Sequence, residues 1–339
     1  MAIYELRDLL EPITETKKET LPQYVINTSN VLTGSILPVL EEKKVLGQFK
    51  KIARINDILF SEIRPGNGRW ALVKEDITNC LISTKLLVLR TNHIIIPEYA
   101  FYILTNVLIN DIVQIAESRS GTFPQITFSN ISHLKINLPS LKQQQEIIDI
   151  IKPIEDMIDL IDSILKIQNQ MFTLQETNSH IKDYITKINT GYAYKKEDKI
   201  NNGNYKIYTI KNISGISKYE NTNFIKNNVL KIGDVITGLS GTIGTASPIF
   251  TNGLVSNQRT LGLSTDYPVQ IANAIELQKK ELYNISTGAV QKNITAINVL
   301  DLKFKPFFNN SFDNNILLLK RKKTNLINIK EKTIKLLIK

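Results

Sequence analysis

The 339-residue sequence holds one cysteine, three histidines and one tryptophan. Cys80 has no partner within the chain for a disulfide, and one thiol with scattered His93, His133 and His180 makes no metal-ligand spacing. A reducing compartment fits that usage. No stretch of about 18 uninterrupted apolar residues occurs. The opening MAIYELRDLLEP also lacks the basic segment and apolar run of an export signal. A soluble, cytoplasmic protein without a membrane partner is the expectation. Catalytic signatures are missing too. There is no G-x-x-x-x-G-K-[ST] phosphate loop, so ATP is not expected in this chain, and no Asn-Pro-Pro-aromatic segment of an amino-methyltransferase. The isolated histidines read as structural, and Glu-x-Lys triplets such as Glu197 to Lys199 arise by chance in a chain this rich in Lys and Glu.

What the sequence does have is length, positive charge and internal similarity. At 339 residues, with 42% hydrophobic content, the chain exceeds the size of one growing core and can fill two. Its formal charge is +10, from 42 Lys and Arg against 32 Asp and Glu, which suits a polyanionic partner. The charge is unevenly distributed. Residues 1–141 carry 15 basic and 14 acidic side chains and residues 142–186 carry 4 and 8. Residues 187–312 carry 15 and 8, and residues 313–339 carry 8 and 2.

The charge blocks follow changes in apolar spacing. Ile147, Ile151, Ile154, Ile158, Ile161 and Leu165 recur at alternating steps of four and three, a narrow seam that packs on another helix. Pro153 lies inside this run and is expected to kink or restart it. A second helical pattern, with Ile316, Leu319, Leu326 and Leu337, occupies 313–339. One helix is acidic and the other basic, so flanking charge favours their pairing.

The blocks preceding each helix resemble one another. IARINDILFSEIRPGNGRWALV in the first block has the plan of VLKIGDVITGLSGTIGTASPIF in the second, with Asp57 matching Asp234. Ile126, Thr127, Asn130, Leu134 and Lys135 match Ile294, Thr295, Asn298, Leu302 and Lys303 at a constant offset of 168. The chain therefore reads as two copies of one unit, a mixed strand and loop domain followed by a helix. Its period is too long for a solenoid. Two-fold similarity is the geometry for reading a two-part site on a duplex.

GDVITGLSGTIGTASPI (Gly233 to Ile249), with SGTFPQITFSNISHLKINLPSLKQQQEI and its weaker C-terminal echo, resembles the DNA-specificity subunit of Type I restriction-modification systems. The resemblance covers essentially the whole chain. It implies an α+β fold: two similar target-recognition domains (1–141 and 187–312) and two long antiparallel coiled-coil helices (142–186 and 313–339), in a pseudo-two-fold arrangement. In that family each domain reads half of a split sequence on double-stranded DNA, while the helices separate the domains and dock two methyltransferase subunits. A restriction and translocase subunit completes the complex. S-adenosylmethionine, ATP and Mg belong to the partners, so the resemblance implies no cofactor and no catalytic residue in this chain. Two departures stand out: RPGNGRWA (Arg64 to Ala71) replaces the Ser-Gly-Thr-Ile-Gly turn in the first copy, and the second copy lacks the Pro-x-x-x-Gln-Gln helix entry.

The residues themselves give compatible chemistry. Ser240 and Thr242 flank Gly241, where backbone and hydroxyls can approach a phosphate; such residues are also ordinary turn formers. Arg64, Asn67 and Arg69 surround Gly66 and Gly68, Arg119 precedes Ser120, Gly121 and Thr122, and Arg259 follows Gln258. Arginine can pair bidentately with guanine, and Asn or Gln with adenine. An isolated arginine is more often a solvated surface residue, so the glycine turns and neighbouring amides make these candidates. Lys85, Lys211 and Lys292 are candidate phosphate contacts. Trp70 fits core packing better than base stacking. Two other readings use the same residues: a coiled-coil scaffold whose domains bind protein, and a stand-alone nuclease.

Overall fold

The computed structural model describes residues 2–16, 23–32, 34–41, 48–119, 123–172, 176–213, 219–226, 229–288 and 291–338. The chain divides into two compact units, Met1–Asp156 with Ile327–Lys339, and Met157–Leu326. Each mixes helices with small sheets, and the fold is α+β.

In the first unit a four-stranded sheet runs in the order Leu10–Pro12, Leu86–Thr91, Ile58–Ser61 and Trp70–Leu72, antiparallel throughout. The segment ILFS is buried along its whole length because both sheet faces are covered. Ile58 and Phe60 face one apolar cluster, and Leu59 faces another with Leu86 and Val88. Trp70 is 9% exposed and stacks on Phe60 at 5.5 Å, so the indole belongs to the core. A second sheet runs Val39–Glu41, Gln23–Ile26, Cys80–Ser83 and Phe49–Lys51. Its Cys80–Ser83 strand lies parallel to Gln23–Ile26.

The second unit repeats this plan. Its four-stranded sheet runs Lys187–Thr190, Thr260–Ser264, Asp234–Gly238 and Ala246–Pro248, the same order of corresponding strands. A three-stranded sheet, Glu220–Thr222, Tyr205–Tyr208 and Leu254–Ser256, again contains one parallel pair. The sequence similarity marks equivalent hydrogen bonds. Asp57 accepts from the Arg54 amide at 2.8 Å, and Asp234 accepts from the Lys231 amide at 2.8 Å. Thr127 and Asn130 form a reciprocal capping box, as do Thr295 and Asn298.

Two long helices extend these units. The central helix, Leu141–Met171, contains Pro153 without interruption, since proline forfeits one backbone bond while the apolar seam continues on either side. It starts on a capping box: the Ser140 amide donates to Gln143 Oε1 at 3.2 Å, and the Gln143 amide donates to Ser140 Oγ at 3.4 Å. It ends at Met171, short of the expected helix 142–186. Beyond Met171 the sequence turns polar, and Ile181 is buried in the second unit's core as part of a short turn of helix, Ile181–Tyr184. The C-terminal helix is Asn310–Leu337.

The helix pairing is written in its contacts. Lys330 meets Glu155 at 3.3 Å in the first unit, and Lys323 meets Asp162 in the second. Seven residues forward on one helix correspond to seven back on the other, so the pair is antiparallel. Ile148 and Ile151 are buried with Ile334 in the first unit, whereas Leu165 packs beside Ile316 and Leu317 in the second. Among the described residues no single helix is long and apolar enough to cross a membrane.

Candidate nucleic-acid interface

The second unit gathers five of the candidate residues in one place. Lys211, Ser240, Thr242, Gln258 and Arg259 line an open cleft of about 610 Å³, together with Thr209, Asn212, Glu220 and Asn257. Three separate connections converge to build it. Lys211 belongs to the short turn Ile210–Ile213 that follows the strand Tyr205–Tyr208. Ser240 and Thr242 follow the strand Asp234–Gly238, and Gln258 with Arg259 join Leu254–Ser256 to Thr260–Ser264.

Backbone geometry explains the glycine between the hydroxyls. Gly241 has φ +80, a left-handed conformation that costs a side chain strain, and the chain reverses there with the Thr242 side chain exposed. Ser240 is buried, and its Oγ accepts a 2.8 Å bond from Gln291 Nε2, which holds the turn from outside the hairpin. The Arg259 amide donates to Asn257 Oδ1 at 3.2 Å, so the turn is fixed while the Gln258 and Arg259 side chains face solvent. Lys292 adjoins this edge, its carbonyl accepting from the Gly241 amide at 3.3 Å. Glu220, the one acid on the cleft wall among the described residues, is engaged by Lys199 at 2.9 Å. Lys211 and Arg259 therefore present positive charge over polar turns, chemistry suited to a phosphodiester.

In the first unit Arg64 is exposed and adopts φ 46, rare for a side-chain-bearing residue, with its guanidinium 5.2 Å from the Phe123 ring centroid. Asn67 lies exposed in the turn Pro65–Asn67. Arg69 is half-buried and donates to Thr28 Oγ1 at 3.5 Å. Lys85 is exposed between the strands Cys80–Ser83 and Leu86–Thr91. Lys51 braces that turn, donating to the carbonyls of Thr84 at 3.2 Å and Leu86 at 2.7 Å. Burial lowers the Lys51 pKa, an effect that nearby Glu62 opposes. Arg119 ends the helix Ile109–Arg119 and is exposed. Ser120 and Thr122 lie outside the described residues.

The residues that sequence reasoning left out are Thr209, Asn212, Glu220 and Gln291. Only one signal was available for the first two, a Thr-x-x-Asn spacing that closes a side-chain cap after a strand. Gln291 carried none, because its contact with Ser240 joins positions 51 apart in sequence. Among the described residues no group of three or more His, Cys, Asp or Glu is placed to hold a metal ion.

Residues 5–169 match the family of the Type I restriction modification DNA specificity domain. The chain is 47% identical over 139 residues to the Type I restriction enzyme HindI specificity subunit of Haemophilus influenzae, a match spanning 40% of this chain and 30% of that protein. It is 26% identical over 182 residues to a putative type I restriction enzyme MjaX specificity subunit of Methanocaldococcus jannaschii, spanning 50% of this chain and 42% of that one. Each match covers less than half of the curated relative. Among solved structures, the HsdS subunit from Thermoanaerobacter tengcongensis aligns over 99% of this chain and 96% of its own at 15% identity and TM-score 0.45. The Type-I restriction-modification system S subunit from M. genitalium aligns over 100% and 96% at 12% identity and TM-score 0.48. The likeness to the Type I restriction-modification DNA specificity domain thus lies in residues 5–169.

Proposed function

We propose that the chain is the sequence-reading subunit of a Type I restriction-modification complex and that each unit reads one half of a two-part site on double-stranded DNA. The observation that carries this reading is the convergence of Lys211, Ser240, Thr242, Gln258 and Arg259 on one open cleft, in a chain whose first half matches the DNA specificity domain. Phosphate contacts from lysines and hydroxyls would set the register, and Gln258 with Arg259 would read base edges. Arg64, Asn67, Arg69, Lys85, Arg119, Ser120 and Thr122 would serve the other half-site.

Methyl transfer, ATP hydrolysis and cleavage would then belong to partners that bring S-adenosylmethionine, ATP and Mg. The central helix offers those partners a surface. Met157, Leu160, Ile164, Ile167 and Met171 are exposed and recur at steps of three and four, a second apolar seam besides the one packed on the C-terminal helix. Two methyltransferase subunits and a restriction subunit are the proposed partners, in the cytoplasm.

The test is to map methylated sites in cells carrying this chain with its methyltransferase. A split motif separated by unread bases is the expected result. A continuous motif, or methylation independent of this chain, would overturn the reading.

A further inference from the structure

The turn that enters an interior strand of each four-stranded sheet is built twice with the same bonds. In the first unit the Asn56 amide donates to the Val73 carbonyl at 2.8 Å, the Val73 amide to the Asp57 carbonyl at 2.9 Å and the Asp57 amide to the Arg54 carbonyl at 3.0 Å. In the second the Gly233 amide donates to the Ile249 carbonyl at 2.9 Å, the Ile249 amide to the Asp234 carbonyl at 2.7 Å and the Asp234 amide to the Lys231 carbonyl at 3.0 Å. Asn56 and Gly233 both hold positive φ, at 74 and 92. Asp57 and Asp234 thus leave equivalent backbone positions, and in each Oδ2 accepts from the amide of the residue three places earlier.

What faces the two carboxylates differs. Arg90 lays its guanidinium on Asp57, Nε donating to Oδ1 at 2.7 Å and Nη2 to Oδ2 at 2.8 Å. Leu89 pairs with Ile58, so Arg90 falls beside Asp57, and at that place in the second unit Ser264 pairs with Asp234. The outer neighbour changes sign as well: Arg90 pairs with Glu11, Ser264 with Lys187. Asp234 is 5% exposed, and among the described residues its Oδ1 has no hydrogen-bond donor and no Lys or Arg forms an ion pair with it. Instead of a guanidinium there is an open cleft of about 430 Å³, walled by Asp234, Asp266, Lys187, Lys231 and the carboxamides of Asn310 and Asn314. The donor that best satisfies a buried carboxylate is a planar fork, which meets both oxygens at once.

We propose that this cleft is a guanidinium-binding site, taking an arginine side chain or a small molecule with the same group so that its fork lies on Asp234 as that of Arg90 lies on Asp57. Lys187 and Lys231 set what else the ligand carries. Two ammonium groups on the wall disfavour a polycation and favour a ligand with an anionic group near its guanidinium, such as the carboxylate of free arginine or an acidic neighbour in a peptide. The site is separate from the cleft that holds Arg259. The strands Asp234–Gly238 and Thr260–Ser264 are antiparallel, with Gly238 beside Thr260 at one end and Asp234 beside Ser264 at the other. Four steps at about 3.4 Å place these ends about 14 Å apart. The proposal therefore stands independently of DNA reading, and its failure would leave that reading untouched.

Isothermal titration of the purified full chain tests it with four probes: L-arginine, an acetylated and amidated Asp-Arg dipeptide, L-lysine and the uncharged isostere L-citrulline. Saturable millimolar binding is expected for one or both arginine probes, and binding weaker by roughly tenfold or more for lysine and citrulline. Tighter binding of the dipeptide would assign a protein segment as the source and tighter binding of free arginine a small molecule, while equal binding would make the guanidinium the sole determinant. Asp234→Asn keeps an acceptor for the Lys231 amide, removes the charge and should weaken binding by roughly tenfold or more. Ser264→Arg rebuilds the first unit's pair within the chain; it should abolish binding and raise the thermal midpoint, so that the lost binding is not a damaged fold. If Ser264→Arg does not fold, Asp234→Asn decides alone. The proposal is overturned if neither arginine probe binds the parent, as when the cleft only hydrates Asp234, if citrulline binds as well as arginine, or if arginine binding survives either substitution in a folded variant.

Discussion

The two units hold the same buried aspartate in the same turn and balance its charge differently. Asp57 is 1% exposed and forms a two-bond pair with Arg90, at 2.7 and 2.8 Å, across its neighbouring strand. Asp234 is 5% exposed, and the residue facing it across the corresponding strand is Ser264. There a cleft of about 430 Å³ opens, lined by Asp234, Ser264, Lys187 and Lys231. The comparison teaches that the fold is specified by the backbone bond each aspartate accepts and by the apolar faces of the sheet. The arginine opposite Asp57 is not common to both units, since Ser264 faces Asp234.

The largest effect expected from this difference is on stability. Arg90→Ala leaves a buried carboxylate unpaired and should destabilise the first unit by about 3 kcal/mol. Ser264→Ala, at the corresponding place, should fall within about 0.5 kcal/mol of the parent. Chemical denaturation of the two variants measures both, and equal losses would show that the pair has no special role.

A second comparison concerns one task done by two residue types. Gln144 is fully buried, accepts from the Ile96 amide at 2.8 Å and donates to the carbonyls of Ile94 and Pro139. Asp313, also fully buried, accepts from the amides of Val269 and Gln270 at 2.6 and 3.1 Å. In each unit a residue from the long helix thus accepts from an amide at the start of a shorter one, where backbone donors lack partners within the helix. Asp313→Ala should cost about 2 kcal/mol and Gln144→Ala about 1.5 kcal/mol, because each strands buried polar groups. Hydrogen exchange at the Val269 and Ile96 amides reports the losses separately.

Arg259→Ala should weaken binding to the cognate duplex by about 1.5 kcal/mol and relax one base position. Equal losses on cognate and random DNA would make Arg259 a phosphate contact instead. The smallest effect is expected at the helix pair. Lys323→Ala removes a partly exposed ion pair with Asp162 and should cost about 0.5 kcal/mol, with thermal unfolding as the readout.

How much of this was legible depends on where insertions fall. Thr127 with Asn130 and Thr295 with Asn298 were readable because the segment from Ile126 to Lys135 repeats without a gap at an offset of 168. Asp57 and Asp234 were readable from their strands, although their offset is 177. Lys85 and Arg259, whose carbonyls accept from the Glu62 and Leu239 amides, stand 174 apart, and Asn27 and Thr209, whose amides donate to Asn30 and Asn212, stand 182 apart, so no single offset brings the equivalent turns together. Hydrogen bonds between strands reveal them, and those depend on pairing that residue types alone do not encode. The end of the central helix was obscured for a related reason. The acidic block 142–186 runs past the helix, and Ile181 within it is buried in the second unit's core.

The claim that each unit reads its own half-site is tested most directly by exchange. Residues 1–141 would be replaced by the corresponding segment of a relative with a different specificity, and the methylated sequence determined in cells. One half of the recognised sequence should change and the other should stay as it was. A change in both halves together would contradict the account.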